Sequence, residues 1–292
     1  MASEPDLSGY EVDWSRLADR LATVARHDAG WYVALAAALV RPTDRMAVDV
    51  GCGGGGMAIA LATAAPGGAR VIAVDGDEAV LAGARKNALA AGVSLQFVQA
   101  DIAAGLAALR DAVGAPADLV WASAVVHHAP DQQAAVADLA VLLAPGGRLV
   151  LAEGGLRPRH LSWDVGLGEP GQEMRLDAAQ DRWFAGMRAA LPGSVSMPYG
   201  WPEALGRAGL VEVTTRSTLL ERPSPLVAGD QATVVEGLRW RVDRLRGTGL
   251  LGAADEQAWE RLLDPADGAF LGHRTDLYHL EARSIHIGHR ER

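Results

Sequence analysis

Cysteine is nearly absent from this 292-residue chain, Cys52 being the single one. That excludes a disulfide framework and any zinc site built on thiolates. Lysine is equally scarce: Lys86 stands alone, and acidic residues outnumber basic ones by 36 to 27, for a net charge of −9. A polyanionic partner is disfavoured, because nucleic-acid binding rests on basic clusters that release counterions, and no basic stripe is present. Phe and Tyr number three and four, against eight Trp. Long apolar runs are missing too. Trp31 to Val40 is the longest near the N-terminus and is too short to cross a bilayer, while MASEPDLSGYEVDW lacks the apolar stretch of a signal peptide. These absences lead us to expect a soluble, cytoplasmic chain without membrane contact.

What remains is rich in core material. Hydrophobic residues make up 49 % and charged residues 22 %, so a sizeable core is expected and disorder is not. Residues 13–41 carry apolar Trp14, Leu17, Leu21 and Val24 at helical spacing, closed by Pro42. MAVDV (46–50) then runs into GCGGGG and a helical pattern from Met57 to Ala65. VIAVD (71–75), a helix from Glu78 to Ala91, SLQFVQAD (94–101), LVWAS (119–123), a helix from Asp131 to Leu143 and RLVLAE (148–153) follow. Apolar strands alternating with helices indicate a parallel sheet covered on both faces, with its ligand beyond the carboxyl ends of the strands. Later segments read as helix (177–191), helix (201–210), strand (211–221), helix (230–263) and a final strand (276–287). We expect one domain. Residues 46–155 form its cofactor-binding core, and 200–222 with 273–288 complete the sheet. Helical lids are expected over 1–45, 156–199 and 224–270.

GCGGGG fits two templates. Gly51, Gly53 and Gly56 satisfy the G-x-G-x-x-G of dinucleotide enzymes, with Asp75 near the ribose-binding position. Gly51, Gly53 and Gly55 equally satisfy a D-x-G-x-G-x-G loop opened by Asp49. Glycine serves both through tight turns and close backbone approach. Asp49 separates them. A carboxylate there would repel a pyrophosphate at the helix N-terminus, yet it favours a ligand carrying an ammonium and a sulfonium.

The blocks VDVGCGGGG (48–56), VIAVDGD (71–77), QADI (99–102), DLVWASAVVHH (118–128) and LLAPGGRLVLAE (142–153) stand in order over the first half of the chain. Together they resemble the class I S-adenosylmethionine-dependent methyltransferases. The resemblance implies an α/β fold: a Rossmann-like sheet, mostly parallel with an antiparallel last strand, plus helical lid insertions. It also implies S-adenosylmethionine as cofactor, S-adenosylhomocysteine as product and no metal. Asp49 and the Gly51, Cys52, Gly53, Gly55 loop would lie against the methionine part. Asp75 with Gly76 would hold the ribose, Asp101 and Ile102 the adenine, and Ala122 and Ser123, after Trp121, would border the cofactor. Arg26 is the expected partner of the methionine carboxylate, since a guanidinium suits it.

The class narrows by what is missing. SAVVHHAPD stands where amino-methylating DNA enzymes carry a [DNS]-P-P-[FY] block, and Cys52 lies in the loop rather than at a nucleophile position. The expected partner is therefore a small-molecule acceptor, and a homodimer is compatible with the sequence. The segments after residue 153 resemble actinobacterial enzymes of specialised metabolism, a subset of which methylates indole C3 in tryptophan-derived diketopiperazines. O- or N-methylation of another aromatic metabolite is the alternative, and a nicotinamide oxidoreductase the more distant one. For proton removal the candidates are His127, His128 and Glu153; an imidazole suits that task near neutral pH. Glu153 has a competing expectation, as partner of Arg157 or Arg182. Tyr10, Trp31, Trp163, Arg182 and Trp183 are the candidate acceptor-binding residues, with core packing the competing role for each Trp.

Overall fold

The computed structural model describes residues 13–102 and 105–292. They divide into two units. The larger takes the described residues up to Gly154, together with Pro192–Thr218 and Arg283–Arg292; the smaller takes Gly155–Leu191 and Leu219–Ala282.

The sheet is built from Met46–Val50 (β1), Arg70–Asp75 (β2), Gln96–Gln99 (β3), Ala117–Ser123 (β4), Leu143–Arg159 (β5), Val211–Arg222 (β6) and His279–His289 (β7). Its order is β3-β2-β1-β4-β5-β7-β6. The first five strands pair in parallel and the β7-β6 end is antiparallel, as expected for a Rossmann-like methyltransferase sheet. The far portions of β5, β6 and β7 are counted with the smaller unit.

Side chains alternate across a strand, and that alternation sorts the larger unit into two packed faces. Val48 and Val50 of β1, Ile72 and Val74 of β2, and Val120 and Ala122 of β4 join one core cluster. Leu109 and Val113 from Leu106–Val113 (α5) and Val136 and Leu139 from Gln132–Val141 (α6) complete it. Ala47, Asp49, Ala73 and Trp121 occupy the alternate positions and are also buried. Gly56–Ala64 (α3) and Glu78–Ala90 (α4) are the helices linking β1 to β2 and β2 to β3.

Two expected helices are divided. Residues 13–41 form Trp14–His27 (α1) and Ala29–Leu39 (α2), broken at Asp28, whose buried carboxylate accepts from Arg283 Nη2 at 2.7 Å. Residues 230–263 form Ala228–Leu245 (α9) and Ala253–Leu263 (α10), separated by Gly247 and Gly249 at φ 73° and 70°. α5 was not anticipated; it ends on Gly114 in the left-handed region. Trp201–Arg207 (α8) lies where a helix was expected. In the smaller unit Gln172–Ala190 (α7) packs with α9, burying Leu176, Trp183, Leu238 and Val242, while Trp259 of α10 is fully buried. No helix among the described residues is long and apolar enough to cross a membrane.

Candidate active site

β1 delivers the chain into the glycine loop, and the loop's turns require glycine. Gly51, Gly53 and Gly55 have φ of 66°, 52° and 78°, a region that L side chains avoid. Cys52 N donates to Val74 O at 2.9 Å, tying the loop to β2, and Gly55 N donates to Cys52 O at 2.8 Å. A Cβ on Gly51 would sit 2.2 Å from Val125 Cγ2, one on Gly54 2.3 Å from Leu21 O, and one on Gly56 2.4 Å from the Tyr32 ring. A Cβ on Gly53 would meet nothing within 4 Å. The loop is thus packed against protein on three sides and open at Gly53.

Two carboxylates flank it. Asp49 is buried in the sheet, and its Oδ2 accepts from Ala58 N in the first turn of α3 at 2.9 Å. Burial, outweighing that hydrogen bond, and the nearby Asp75 charge push its pKa up to about 7. Asp75, at the end of β2, accepts from Gly53 N at 2.9 Å and from Asp77 N at 3.2 Å. Burial raises its pKa as well, against these two donors. Burial likewise pushes the Cys52 thiol up, so it is no thiolate nucleophile. Gly76 lies against Asp101: a Cβ on it would be 3.4 Å from the Asp101 Cβ. Ile102 is half-buried and packs on the core cluster, Ala122 is buried, and Ser123 is half-buried at the end of β4.

After β4 the chain makes a sharp turn. Ala124 adopts φ 53°, a strained conformation for a residue with a Cβ. What holds it is Glu153 at the end of the buried part of β5. Its Oε1 accepts from Val125 N at 2.9 Å and Val126 N at 2.8 Å, and its Oε2 meets His127 Nδ1 at 2.8 Å. Glu153 is 2 % exposed and His127 26 %. A fixed, buried carboxylate therefore orients an imidazole that still reaches solvent, an arrangement suited to accepting a proton at Nε2. His128 stacks beside it, ring centroids 4.1 Å apart, and meets the edge of Trp14 from α1 at 5.0 Å. The arginines expected to compete for Glu153 are engaged elsewhere: Arg157 with Asp181, and Arg182 with Leu250 O at 2.5 Å.

The other candidates are distributed. Arg26 donates to Asn87 Oδ1 at 2.8 Å and to Thr23 Oγ1 at 3.0 Å. Trp31 is 9 % exposed; its indole N–H donates to Thr218 Oγ1 at 2.9 Å, and the Arg283 guanidinium lies 4.6 Å from its ring. Trp183 is buried beneath Arg244, 4.5 Å from its ring. Both indoles are thus buried with a guanidinium against the ring. Trp163 is 67 % exposed, in the smaller unit. Tyr10 lies outside the described residues. Sequence reading missed Gly54, Asn87 and Ala124. Asn87 donates to Ala22 O at 3.0 Å and Gly54 O at 2.9 Å, joining α1, the loop and α4. A polar residue among apolar Val80, Ala84 and Ala88 on one helix face was the available signal.

Residues 48–151 match the family model of a methyltransferase domain. Among curated relatives, a release factor glutamine methyltransferase of Deinococcus radiodurans is 32 % identical over 51 % of this chain and 60 % of its own length. A ubiquinone biosynthesis O-methyltransferase of Azotobacter vinelandii is 34 % identical over 38 % of this chain and 44 % of its own. The matches thus span less than two thirds of these relatives. A phosphoethanolamine N-methyltransferase of Haemonchus contortus, solved with S-adenosylhomocysteine, superposes with a TM-score of 0.50 at 14 % identity, covering 97 % of this chain and 61 % of that one. That likeness is one of fold. The likeness to methyltransferases thus lies in residues 48–151 of the sequence and in the fold.

Proposed function

We propose that this chain moves the methyl group of S-adenosylmethionine to a small-molecule acceptor. The observation that carries the reading is the open side of the glycine loop at Gly53, flanked by Asp49 and Asp75. The ammonium and sulfonium of the methionine moiety are at home beside two acids, where a pyrophosphate is not. In this reading Asp75 takes the ribose hydroxyls and Asp101 with Ile102 the adenine, while Ala122 and Ser123 border the cofactor. No group of three His, Cys, Asp or Glu among the described residues is placed to hold a metal.

Displacement at a sulfonium needs alignment and exclusion of water more than activation of the leaving group. His127 supplies what a hydroxyl or N–H acceptor additionally requires, a proton acceptor at Nε2, with Glu153 as its positioning residue. The acceptor class we propose is a small aromatic metabolite. Indole C3 of tryptophan-derived diketopiperazines is the first group to test, and aromatic hydroxyls or amines the second. The name of the Azotobacter relative, an O-methyltransferase, favours the second. We further propose a cytoplasmic location.

The test is direct. Calorimetry with S-adenosylmethionine and S-adenosylhomocysteine should show binding of both, and labelled cofactor with each acceptor class should yield a product heavier by one methylene. Thermal stabilisation by NAD(H) with none from S-adenosylmethionine would replace this reading by the oxidoreductase one.

A further inference from the structure

His286 of β7 is 6 % exposed, and both of its ring nitrogens are engaged. Nε2 lies 3.1 Å from the main-chain oxygen of Glu153 on β5, and Nδ1 lies 2.9 Å from Thr215 Oγ1 on β6. Because β7 stands between β5 and β6, one imidazole ties its own strand to both neighbours. All three residues belong to the larger unit. A carbonyl oxygen can only accept, so Nε2 carries a proton. Burial holds the His286 pKa down, against the Glu153 carbonyl and charge, which favours the neutral ring with the lone pair on Nδ1. The Thr215 hydroxyl then donates to Nδ1. The hydrogen bonds run in one direction, from Thr215 through His286 to Glu153.

Glu153 is also the residue that holds His127. Its carboxylate receives Val125 N, Val126 N and His127 Nδ1, while its carbonyl receives His286. A carboxylate accepts, so His127 is protonated at Nδ1 and carries its lone pair on Nε2. Just beyond Glu153 the backbone leaves ordinary strand geometry, with Gly154 at φ 74° and Gly155 at 112°. A side chain orients its neighbour only as firmly as its own main chain is held. His286 supplies a side-chain tether to that main chain, at the last residue before the bend.

We propose that His286, with Thr215 as its hydrogen-bond donor, is a positioning residue for His127: it fixes the Glu153 main chain and, through the carboxylate, the tautomer and direction of the imidazole. A histidine kept only to fill the sheet could be exchanged for an apolar residue of its size. A tether could not, whereas Gln, which offers one donor and one acceptor, would preserve it. The effect on rate rests on the methyl-transfer reading. The effect on His127 itself is read without cofactor or acceptor.

The experiment records long-range proton–nitrogen correlations on the full chain labelled with 15N-histidine, near pH 8, where a free imidazole is neutral. The native chain should show His286 protonated at Nε2 and His127 at Nδ1. In His286→Phe, His127 should move toward the tautomer mixture of a free imidazole. Amide exchange at Val125 and Val126 should quicken about tenfold there, while Cys52, whose N–H is bonded to Val74 on the far side of the sheet, should keep its rate. His286→Gln should hold the native pattern. With labelled S-adenosylmethionine and an aromatic hydroxyl acceptor, kcat should fall about tenfold in His286→Phe, with KM and cofactor Kd within about twofold, and recover in His286→Gln. Circular dichroism melting establishes folding, and His286→Met replaces His286→Phe if the latter does not melt cooperatively. A native His286 protonated at Nδ1, or an unchanged His127 tautomer in the folded Phe or Met variant, would overturn the assignment. Exchange that quickens equally at Cys52 would reduce His286 to general stability and overturn it too. Native tautomers and exchange as expected, with no methylated product from any acceptor, would sink the methyl-transfer reading and leave the tether standing.

Discussion

At the scale of single residues, Asp49 is held in a state that a cation would change. Its pKa of about 7 lies above the unfolded value, so the folded chain binds the extra proton between roughly pH 4 and 7. The sign is that of a raised acid: its contribution to stability is present below the unfolded pKa and is lost as pH rises through about 7. A bound ammonium or sulfonium favours the carboxylate and expels that proton. S-adenosylmethionine affinity should therefore rise with pH between 6 and 8. Calorimetry in buffers of different ionisation enthalpy should register proton release near pH 7, and Asp49→Asn should abolish both effects. A pH-independent affinity in the native chain would separate Asp49 from the cofactor. His127 is tested through the rate. His127→Ala should lower kcat for a hydroxyl or N–H acceptor by about 10²-fold or more while leaving cofactor Kd unchanged. Glu153→Gln should lower kcat less, and it should also weaken the Ala124 turn, because both Val125 N and Val126 N depend on that carboxylate. Equal kcat in His127→Ala and the native chain would remove the base.

The elements show why some glycines were legible and others were not. Gly51, Gly53 and Gly55 follow a spacing that a reader can match, and each has the positive φ that the spacing requires. Gly54 obeys no spacing. It is glycine because α1 crosses it, with Leu21 O and Ala22 Cα where a Cβ would be, and an approach between segments distant in sequence leaves no local trace. The two should therefore fail differently. Gly53→Ala meets open space at an unfavourable φ, so it should cost about 1 kcal/mol of stability and weaken the cofactor by intrusion. Gly54→Ala should cost about 1–3 kcal/mol or more by overpacking, displacing α1. Urea unfolding beside cofactor titration of both variants separates the cases. Identical stability losses would show that α1 does not bear on the loop. Asn87 of α4 belongs to the same junction: it donates to Ala22 O and Gly54 O and accepts from Arg26 of α1, the residue read as a cofactor ligand.

For the molecule as a whole, the first half was readable because β1, β2 and β4 are apolar runs buried on both faces, with Val48, Ile72 and Val120 on one and Ala47, Ala73 and Trp121 on the other. The second half was not. β6 is largely exposed, and nothing in its sequence says that β7 inserts between it and β5. Nor did the pattern reveal the clamp at the sheet's opposite end. There Arg148, 3 % exposed, donates Nη2 to Asp44 Oδ2 at 2.6 Å and to Leu39 O, and Nη1 to Asp44 Oδ1 and Asp118 O, each at 3.1 Å. One guanidinium thus joins the end of α2, the approach to β1, β4 and β5. Burial alone would raise the Asp44 pKa; the Arg148 hydrogen bond and Arg41 N–H outweigh it, and the net shift is downward. A depressed acid stabilises above its unfolded pKa and loses that contribution as pH falls through the folded one, so this clamp should release on the acid side of pH 4. Arg148→Met at pH 7 should cost about 3–5 kcal/mol, because it strands Asp44 as an unpaired buried charge. Arg148→Met combined with Asp44→Leu should recover most of that loss, since the penalty lies in the orphan rather than in the missing attraction. Urea midpoints for the two single variants and the double one decide it: additive losses would mean that the two residues act separately.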